Sequence, residues 1–280
     1  MTALPTVGPE AAPADAIAAA ADDTPRTASP DVESSARTDA DRGAGVRSGN
    51  VVPQPDVTAM FDDIAPVYDR INTLITLGRD ARWRRAAVAA ARLPAGASVV
   101  DVACGTGKVA AQLADRVGPF GRVVAVDLSP AMIARAVAAY RDLVQLEFRI
   151  GNALELPADD AEFDAATIAF GLRNLSSWEA GFRELRRVVR PGGRVVCLEL
   201  TVPKPRVWGT LFRATFRAGV PLAGRAFRRA SAYRYLPASL EGFPDAEQLR
   251  VTMQRAGLVD VTIRRLGFGA VALHTGVVPA

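Results

Sequence analysis

Between Ser98 and Leu200, short apolar segments alternate with segments of helical pattern, and few folds satisfy such an alternation. Apart from Leu146–Ile150, the apolar segments lack the polar–apolar alternation of strands that face water on one side. Strands of this kind lie in a parallel sheet whose two faces are covered by helices, so the pattern predicts a doubly wound α/β fold. The predicted strands are Ser98–Val102, Val123–Asp127, Leu146–Ile150, Asp164–Phe170 and Arg194–Leu200, and the predicted helices are Lys108–Val117, Pro130–Arg141 and Trp178–Val189.

The segments on either side of this alternation have other patterns. Upstream, residues 57–78 mix aromatic, aliphatic and acidic residues as short helices do, and a predicted helix over residues 79–93 is stopped by the Pro94–Gly96 segment. Downstream, a predicted helix over Asp245–Ala256 precedes two strand-like runs joined near Gly267–Gly269. These two runs predict a hairpin that completes the sheet.

Residues 1–50 differ from the rest of the chain in composition. They are rich in Ala, Pro, Ser, Thr, Asp and Gly and contain no aromatic residue. Such a segment cannot bury enough apolar surface to offset the entropy lost on ordering. We therefore predict a disordered acidic tail over 1–50 and one domain over 51–280. The tail holds eight acids and four arginines, a charge of −4, so the total of +4 leaves +8 on the other 230 residues.

Cysteine and histidine content exclude several classes of protein. Cys104 and Cys197 lie far apart, which opposes a disulfide framework and a zinc site, and the single His274 excludes a multi-histidine metal centre. We predict no metal. The first 25 residues lack the basic and apolar regions of a secretory signal, and no run approaches the roughly 20 apolar residues that span a bilayer. We expect a cytoplasmic protein that at most rests on a membrane.

A glycine turn follows the first predicted strand. Gly105, Gly107 and Ala110 satisfy the pattern G-x-G-x-x-G/A, in which glycines allow a tight turn and close approach of a ligand to a helix N-terminus. Asp127 ends the second predicted strand, where its carboxylate can accept hydrogen bonds from ribose hydroxyls. These features fit NAD and S-adenosylmethionine equally. A capped turn without a ligand is the structural alternative.

Asp101 separates the two cofactors. An ionisable residue at the end of an apolar strand is costly unless its carboxylate has a partner, and a dinucleotide site normally has an apolar residue there. Residues 101–107 resemble the acid-x-small-x-Gly-x-Gly motif of S-adenosylmethionine-dependent methyltransferases, with Ala103 at the usual first glycine. The resemblance implies that Asp101 lies near the methionine end of S-adenosylmethionine, and that Gly105, Thr106 and Gly107 also bind this cofactor.

The same resemblance implies a class I methyltransferase fold. Such a fold is Rossmann-like, with a seven-stranded, mostly parallel sheet that ends in an antiparallel hairpin. Asn152 and Ala153 follow the third predicted strand, where this fold holds the adenine. In that position an amide can pair with the base edge, although Asn152 alone would be interpreted as a turn residue.

Several blocks resemble one family, the ubiquinone/menaquinone biosynthesis C-methyltransferases. In chain order they are "YDRINTLITLGRDARW" (68–83), "FGLRN" (170–174), "RVVRPGGRVVCLELT" (187–201), "YRYLPASLEGFP" (233–244) and "AVALHTG" (270–276). The resemblance covers residues 58–278. It implies methylation of a ring carbon in a prenylated quinol, with conversion of demethylmenaquinol to menaquinol as the expected reaction.

The sequence departs from the family pattern at a few positions. Asp80 stands where His is common, and Ala169 replaces a Ser that often contacts the cofactor. Ile71, Thr76 and Thr201 are milder changes. Asp80 and Ala169 leave a second acceptor class open, another lipid or natural product such as a phospholipid amine or a polyketide.

The expected chemistry needs a group that stabilises the quinol oxygen as it loses its proton. Arg173 and Asn174 follow the fourth predicted strand, at the edge where ligands bind in open α/β sheets. We predict that Arg173 stabilises the phenolate or orients a water and that Asn174 positions a hydroxyl; a surface salt bridge is the alternative for Arg173. Tyr68 is predicted to face the sulfonium from a lid, with a core tyrosine as the alternative. We interpret His274 as a structural histidine.

Residues 203–235 carry eight positive residues, no acid and several large apolar residues. We predict a basic amphipathic cap that admits a polyprenyl chain and contacts anionic lipid, so that the partners are a lipophilic quinol and a membrane surface rather than nucleic acid. An ordinary cap helix is the alternative.

Two other classes of function also fit parts of the sequence. An NAD-dependent reductase is opposed by Asp101 and by the lack of a Tyr-x-x-x-Lys pair, since Lys108 and Lys204 are the only lysines. A catalytically silent membrane-surface binding module remains open.

Overall fold

The structure is a computed structural model that describes residues 54–201, 203, 239–240 and 242–280. The predicted tail over 1–50 lies outside the described residues, as does the predicted cap over 203–235 except for Pro203. The described residues belong to the unit that spans Gly45–Ala280. No helix in the described part of the chain is long and apolar enough to cross a membrane.

Seven strands form one sheet in the order β3-β2-β1-β4-β5-β7-β6. The strands are β1 Ser98–Val102, β2 Arg122–Asp127, β3 Leu146–Ile150, β4 Phe163–Ala169, β5 Val189–Leu200, β6 Val259–Leu266 and β7 Val271–Val277. The first five run parallel, and β7 pairs antiparallel with both β5 and β6. The predicted doubly wound fold and its terminal hairpin are confirmed.

The fifth strand begins at Val189, and the prediction that it begins at Arg194 was wrong. Phe163 pairs with Val189 whereas Ala165 pairs with Arg194, so the fifth strand carries extra residues between two paired positions. Gly192 has a φ of 79°, which permits this detour. The Pro-Gly-Gly stretch therefore lies inside the strand.

Helices cover both faces of the sheet. They are α1 Gln54–Ile64, α2 Tyr68–Ile75, α3 Asp80–Ala90, α4 Lys108–Val117, α5 Pro130–Tyr140, α6 Trp178–Val188 and α7 Ala246–Arg255. Side chains of α6 and α7, such as Phe182 and Met253, pack with Val100 and Val102 in one apolar cluster. Side chains of α3 and α4 pack on the other face, where Val99 belongs to a second cluster. Alternate residues of β1 thus enter opposite cores, as its apolar sequence predicts.

Strand order reverses between β1 and β4, and ligands of open α/β sheets bind outside the carboxyl ends of strands at such a point. The first two helices lie at this edge. Asp62 of α1 accepts hydrogen bonds from the Ser129 hydroxyl (2.5 Å) and the Ala131 amide (3.2 Å) at the start of α5. The fold therefore sets α1 beside the loops that follow the strands.

Candidate active site

The loop after β1 has three residues in the left-handed backbone region. Their φ angles are 52° at Ala103, 56° at Gly105 and 82° at Gly107. Glycine adopts this region without strain, whereas Ala103 adopts it at a cost. A side chain at Gly171, in the loop after β4, would place its Cβ 2.4 Å from the Cβ of Ala103. The loops after β1 and β4 are therefore in close contact. Because Ala103 carries a Cβ, the facing position 171 has room only for glycine.

Asp127 joins the ends of β1 and β2. Its Oδ2 accepts a hydrogen bond from the Gly105 amide (2.7 Å), and its Oδ1 accepts one from the Ser129 amide (2.9 Å). Burial raises the pKa of this carboxyl, and the backbone donors oppose that rise. An ionised carboxylate has about four acceptor positions, so two remain for other donors such as ribose hydroxyls.

Asp101 is buried in β1, and one of its oxygens lacks a partner. Thr167 donates its hydroxyl proton to Oδ1 (2.5 Å), while Oδ2 has no hydrogen-bond partner among the described residues. Burial raises the pKa of Asp101 to about 7, and the nearby Asp127 also raises it. A buried carboxylate oxygen without a partner is costly, and a ligand ammonium group would relieve that cost. Asp101 thus fits a cationic group, although it does not line the cleft described next.

The structure gives Thr106 and Gly107 other contacts than the predicted ones. Thr106 donates its hydroxyl proton to Asp69 of α2 (2.9 Å), and Lys108 lies 3.2 Å from the same Asp69 oxygen. Gly107 is the N-cap of α4, and a Cβ there would lie 3.0 Å from the Phe148 ring. Neither residue lines the cleft. The Thr106 hydroxyl thus holds α2 against the glycine turn, and the absence of a side chain at Gly107 makes room for β3.

A cleft of about 670 Å³, open at its mouth, lies above these loops. Residues that line it include Gly105, Asp127, Asn152, Ala153 and Asn174. The Asn152 side-chain oxygen accepts a hydrogen bond from the Leu154 amide (3.0 Å), which leaves the amide nitrogen of the side chain for a base edge. Four of the seven predicted cofactor residues therefore line one cleft.

A second cavity of about 470 Å³ adjoins the cleft, because Tyr68 and Phe170 line both. Apolar and aromatic residues form much of its wall, including Trp83, Ile75 and Leu200. The ring centroids of Trp83 and Phe170 are 6.5 Å apart. A flat aromatic molecule in this cavity would lie next to a ligand in the cleft.

Arg173 lines this second cavity and forms a buried ion pair, so the surface salt bridge considered for it was wrong. Its Nη1 donates to Glu199 Oε1 (2.5 Å) and to the Phe170 carbonyl (2.9 Å), and its Nε donates to Ser239 Oγ (3.2 Å). Arg173 is 6% exposed and Glu199 1% exposed. No hydrogen bond among the described residues uses Nη2, so this nitrogen can meet a substrate oxygen.

Asp80 and Arg84 form a second buried pair in the same cavity. The Asp80 carboxylate accepts a hydrogen bond from the Thr76 hydroxyl (3.2 Å) and lies 3.6 Å from Arg84 Nε. Arg84 Nε has no hydrogen-bond partner in the described structure, and the guanidinium carbon lies 5.5 Å from the centroid of the Phe170 ring. Of the described residues that line this cavity, Asp80 is the one carboxylate.

Tyr68 lies between the two cavities and lines both, so it can contact a ligand in either of them. Its ring meets the Phe61 ring edge-on at 6.1 Å. Burial raises its pKa, although Arg84, Arg173 and a hydrogen bond with Asn72 oppose that rise. The phenol therefore stays protonated at neutral pH.

His274 lies away from both cavities, in β7. Its Nε2 lies 2.8 Å from the Ala246 carbonyl oxygen, and burial lowers its pKa, so it is a neutral structural histidine. No group of three or more His, Cys, Asp or Glu within the described ranges could hold a metal.

Glu199 was not predicted as a site residue, and Asp80 was not predicted to lie in a cavity. Glu199 carried a usable signal, since an acid inside an apolar strand is the same anomaly that marks Asp101. The pairing of Asp80 with Arg84 follows helical spacing, but its placement in a cavity depends on contacts distant in sequence.

A seven-stranded sheet of this order, with a glycine turn and a carboxylate at the ends of its first two strands, defines a class I S-adenosylmethionine-dependent methyltransferase. Comparison with solved structures agrees. A methyltransferase from Thermotoga maritima matches with a TM-score of 0.57 and 18% identity, over 79% of this chain and 98% of that one. The model of the ubiE/COQ5 methyltransferase family matches residues 50–278. The chain belongs to that family, and its methyl donor is S-adenosylmethionine.

Two relatives illustrate the similarity. The demethylmenaquinone methyltransferase of Thermus thermophilus is 44% identical over 220 residues, which are 78% of this chain and 99% of that protein. The ubiquinone/menaquinone biosynthesis C-methyltransferase UbiE of Geobacter sulfurreducens is 39% identical over 222 residues, 78% of this chain and 86% of that one. The predicted family, class of enzyme and methyl donor are confirmed, and the reductase and silent binding module are excluded.

Proposed function

We propose that this enzyme methylates a ring carbon of a lipid-soluble quinol, with demethylmenaquinol as the acceptor and menaquinol as the product. The names of the relatives support that acceptor class. The observation that carries the proposal is the shared wall of Tyr68 and Phe170, because it sets an aromatic-lined cavity directly beside the cofactor cleft. We also propose that the protein is cytoplasmic and contacts the membrane that holds its acceptor, with a disordered tail over 1–50 and a substrate cap over 203–235.

In the cleft, S-adenosylmethionine supplies an electrophilic methyl group. Asp127 accepts hydrogen bonds from the ribose hydroxyls, and Asn152 and Ala153 contact the adenine. Asp101 provides negative charge for the amino-acid end, while Thr106 and Gly107 shape the turn. Methyl transfer from a sulfonium needs alignment of donor and acceptor and exclusion of water. The two adjoining cavities and the α1–α2 cover meet that need.

In the second cavity, Trp83, Phe170 and Leu200 hold the quinol ring, and charged groups act on its oxygens. A ring carbon becomes nucleophilic when a neighbouring hydroxyl loses its proton. Arg173 Nη2 stabilises the phenolate, because the guanidinium is already oriented by Glu199. The Asp80 carboxylate accepts the hydroxyl proton, directly or through a water. After transfer, the methylated ring carbon loses its hydrogen to solvent as a proton, and Asp80 returns its proton to the quinol oxygen. Asn174 and Tyr68 position the acceptor from the side of the cleft.

The direct test is transfer to a defined acceptor. Purified enzyme with the methyl donor and chemically reduced demethylmenaquinone should give a product heavier by one methylene group, and an isotope-labelled methyl group should appear on the ring carbon. A phospholipid amine and a polyketide phenol serve as competing acceptors. Calorimetry should show binding of S-adenosylmethionine and none of NADH. A deletion strain that keeps a normal menaquinone pool would contradict the proposal.

Arg173→Lys tests the role of the guanidinium. The lysine keeps a charge for the buried Glu199, which an alanine would leave unpaired, but it loses the second arm of the fork. We expect kcat to fall by about 10²-fold, the size typical for loss of one preorganised donor. Arg183→Lys, at an exposed position of α6, is the matched control and should keep full turnover. Normal turnover in Arg173→Lys would remove Arg173 from the mechanism.

A further inference from the structure

An exposed patch of arginine and apolar side chains lies where the α2–α3 connection meets the β6–β7 turn. We call it the arginine face and define it by Leu77, Arg79, Arg82, Arg264, Arg265 and Phe268. A groove of about 1000 Å³ is lined by the four arginines and Phe268. Phe268 is 90% exposed and Leu77, two residues before Arg79, is 78% exposed. Large apolar side chains so exposed beside several cations need an explanation.

The backbone presents these apolar side chains outward at a cost. Leu77 and Phe268 have φ angles of 52° and 55°, in the left-handed region that bulky residues seldom adopt. The guanidinium of Arg79 lies 5.8 Å from the centroid of the Phe268 ring, which joins the two loops. A Cβ at Gly267 would lie 2.7 Å from the Trp83 ring, so the β6–β7 turn packs directly on α3. The patch is a single ordered surface.

The charges of the arginine face are not balanced. Among the described residues, none of its four arginines forms an ion pair, and no acid lines the groove. Arginines elsewhere on the protein surface do have acidic partners: Arg122 pairs with Glu162 at 2.6 Å and Arg190 with Asp164 at 2.8 Å. Four guanidinium groups that no acid in the described part of the chain neutralises, around exposed apolar side chains, complement a surface that is anionic and has an apolar interior.

We propose that the arginine face docks the enzyme on an anionic membrane. The guanidinium groups bind lipid phosphates, and Phe268 and Leu77 enter the boundary between headgroups and acyl chains. Trp83 lines both the groove and the second cavity, so docking sets the cavity beside the bilayer. That advantage rests on the proposed function, since it concerns a lipid-soluble acceptor; the docking itself does not.

Vesicle binding by the full chain tests the proposal. Wild type should cosediment with vesicles that contain phosphatidylglycerol, bind pure phosphatidylcholine weakly and dissociate as salt rises. Arg82→Gln/Arg265→Gln should weaken binding about thirtyfold, because each basic residue near an anionic surface contributes about fivefold. The matched control is Arg85→Gln/Arg116→Gln, which removes the same charge from another exposed surface and should change binding less than threefold.

The apolar part has its own pair of variants. Phe268→Asn keeps a residue that tolerates positive φ and should lower vesicle affinity severalfold, whereas Phe120→Asn, at a site 93% exposed in the loop before β2, should not. Equal binding by the arginine-face variants and their controls would overturn the proposal. So would loss of binding only on substitution of Arg213 and Arg217, in the segment 203–235.

Activity on a short-chain, water-soluble quinol without vesicles separates the two proposals. The arginine-face variants should keep that activity while losing vesicle binding. If wild type methylates no quinol but its vesicle binding still depends on Arg82 and Arg265, the proposed function fails and the docking surface stands. If methylation is normal and the variants bind vesicles as wild type does, only the docking surface fails.

Discussion

Asp101 is the residue whose environment gives the clearest measurable consequence. Its pKa of about 7 means that the carboxyl is largely protonated below neutral pH in the absence of a ligand. In the proposed role of Asp101, the ionised form binds the ammonium group of the cofactor, so S-adenosylmethionine affinity should fall about tenfold per pH unit below pH 7. It should also fall above about pH 8, where an α-amino group loses its proton. Calorimetry from pH 5.5 to 9 measures this bell-shaped dependence.

Asp101→Asn is the control for that pH dependence. The amide oxygen still accepts the hydrogen bond from Thr167, but the residue no longer ionises. Affinity should be lower and the acid limb should be absent; an unchanged acid limb in this variant would contradict the role assigned to Asp101. The folded state of wild type holds the Asp101 proton more tightly than the unfolded state does. The free energy of unfolding of wild type should therefore fall from about pH 4 to pH 7, relative to that of Asp101→Asn. His274, whose pKa burial lowers, acts in the opposite direction but equally in both proteins.

The loops after β1 and β4 interact as a pair of elements. Gly171 has ordinary helical angles, with φ −106° and ψ −29°, so only the contact with Ala103 forbids a side chain there. Gly171→Ala should therefore lower the free energy of unfolding by about 1–3 kcal/mol, as overpacking does. Ala103→Gly should raise it by about 0.5–1 kcal/mol, because the left-handed backbone is strained for alanine. Denaturant titration measures both changes.

The double variant distinguishes a contact from two separate effects. In the Ala103→Gly background, Gly171→Ala should cost close to nothing, so the two changes should not be additive. Ala138→Gly, at an exposed position inside α5, is the matched control for the alanine-to-glycine change and should destabilise by about 1 kcal/mol. Additive costs, or a destabilising Ala103→Gly, would show that the loops do not touch as described.

Most elements of this fold were predictable because each carries a local signal. The strands β1, β2 and β4 are mostly apolar, β3 alternates apolar with charged residues, and a glycine or an acid lies at or soon after the end of each. Their bounds therefore agree with prediction to within one residue. The start of β5 was not predictable, since Pro191 and Gly192 have the composition of a turn and only pairing with β4 makes them part of a strand. Local patterns indicate an element, but registration with a neighbour decides its extent.

In the candidate site, too, local patterns predicted some residues, whereas contacts between distant elements were not predicted. Asp127, Asn152 and Ala153 follow strands, and their position in the chain was enough to place them at one edge of the sheet. Thr106 stays a predicted cofactor residue, but the hydrogen bond that its hydroxyl donates to Asp69, a residue 37 positions earlier, was not predicted. The Arg173–Glu199 pair also joins two distant elements. Contacts between distant elements depend on the packed fold, and the sequence pattern that marks Glu199 as unusual does not show that Arg173 is its partner.

The net charge of the whole molecule is divided unevenly along the chain. Residues 1–49 contain eight acids and four arginines, while the rest carries +8. If the arginine face docks on anionic lipid, the acidic tail opposes that attraction at low salt. Deletion of residues 1–49 should leave the unfolding temperature unchanged, since the family model begins at residue 50. It should raise affinity for phosphatidylglycerol vesicles severalfold at low ionic strength.

A tail whose eight acids are replaced by Asn or Gln separates charge from bulk. It keeps the length of the tail but reverses its charge, so vesicle affinity should rank it above the deletion and the deletion above the full chain. All three should converge at about 1 M salt, where charges interact over only about 3 Å. If the deletion binds better but the tail without acids does not, the tail acts by steric exclusion. A −4 segment tethered to a basic domain must weaken the attraction of that domain to anionic lipid whenever the two charges lie within screening range. If neither variant binds better than the full chain, the acidic tail therefore does not oppose docking.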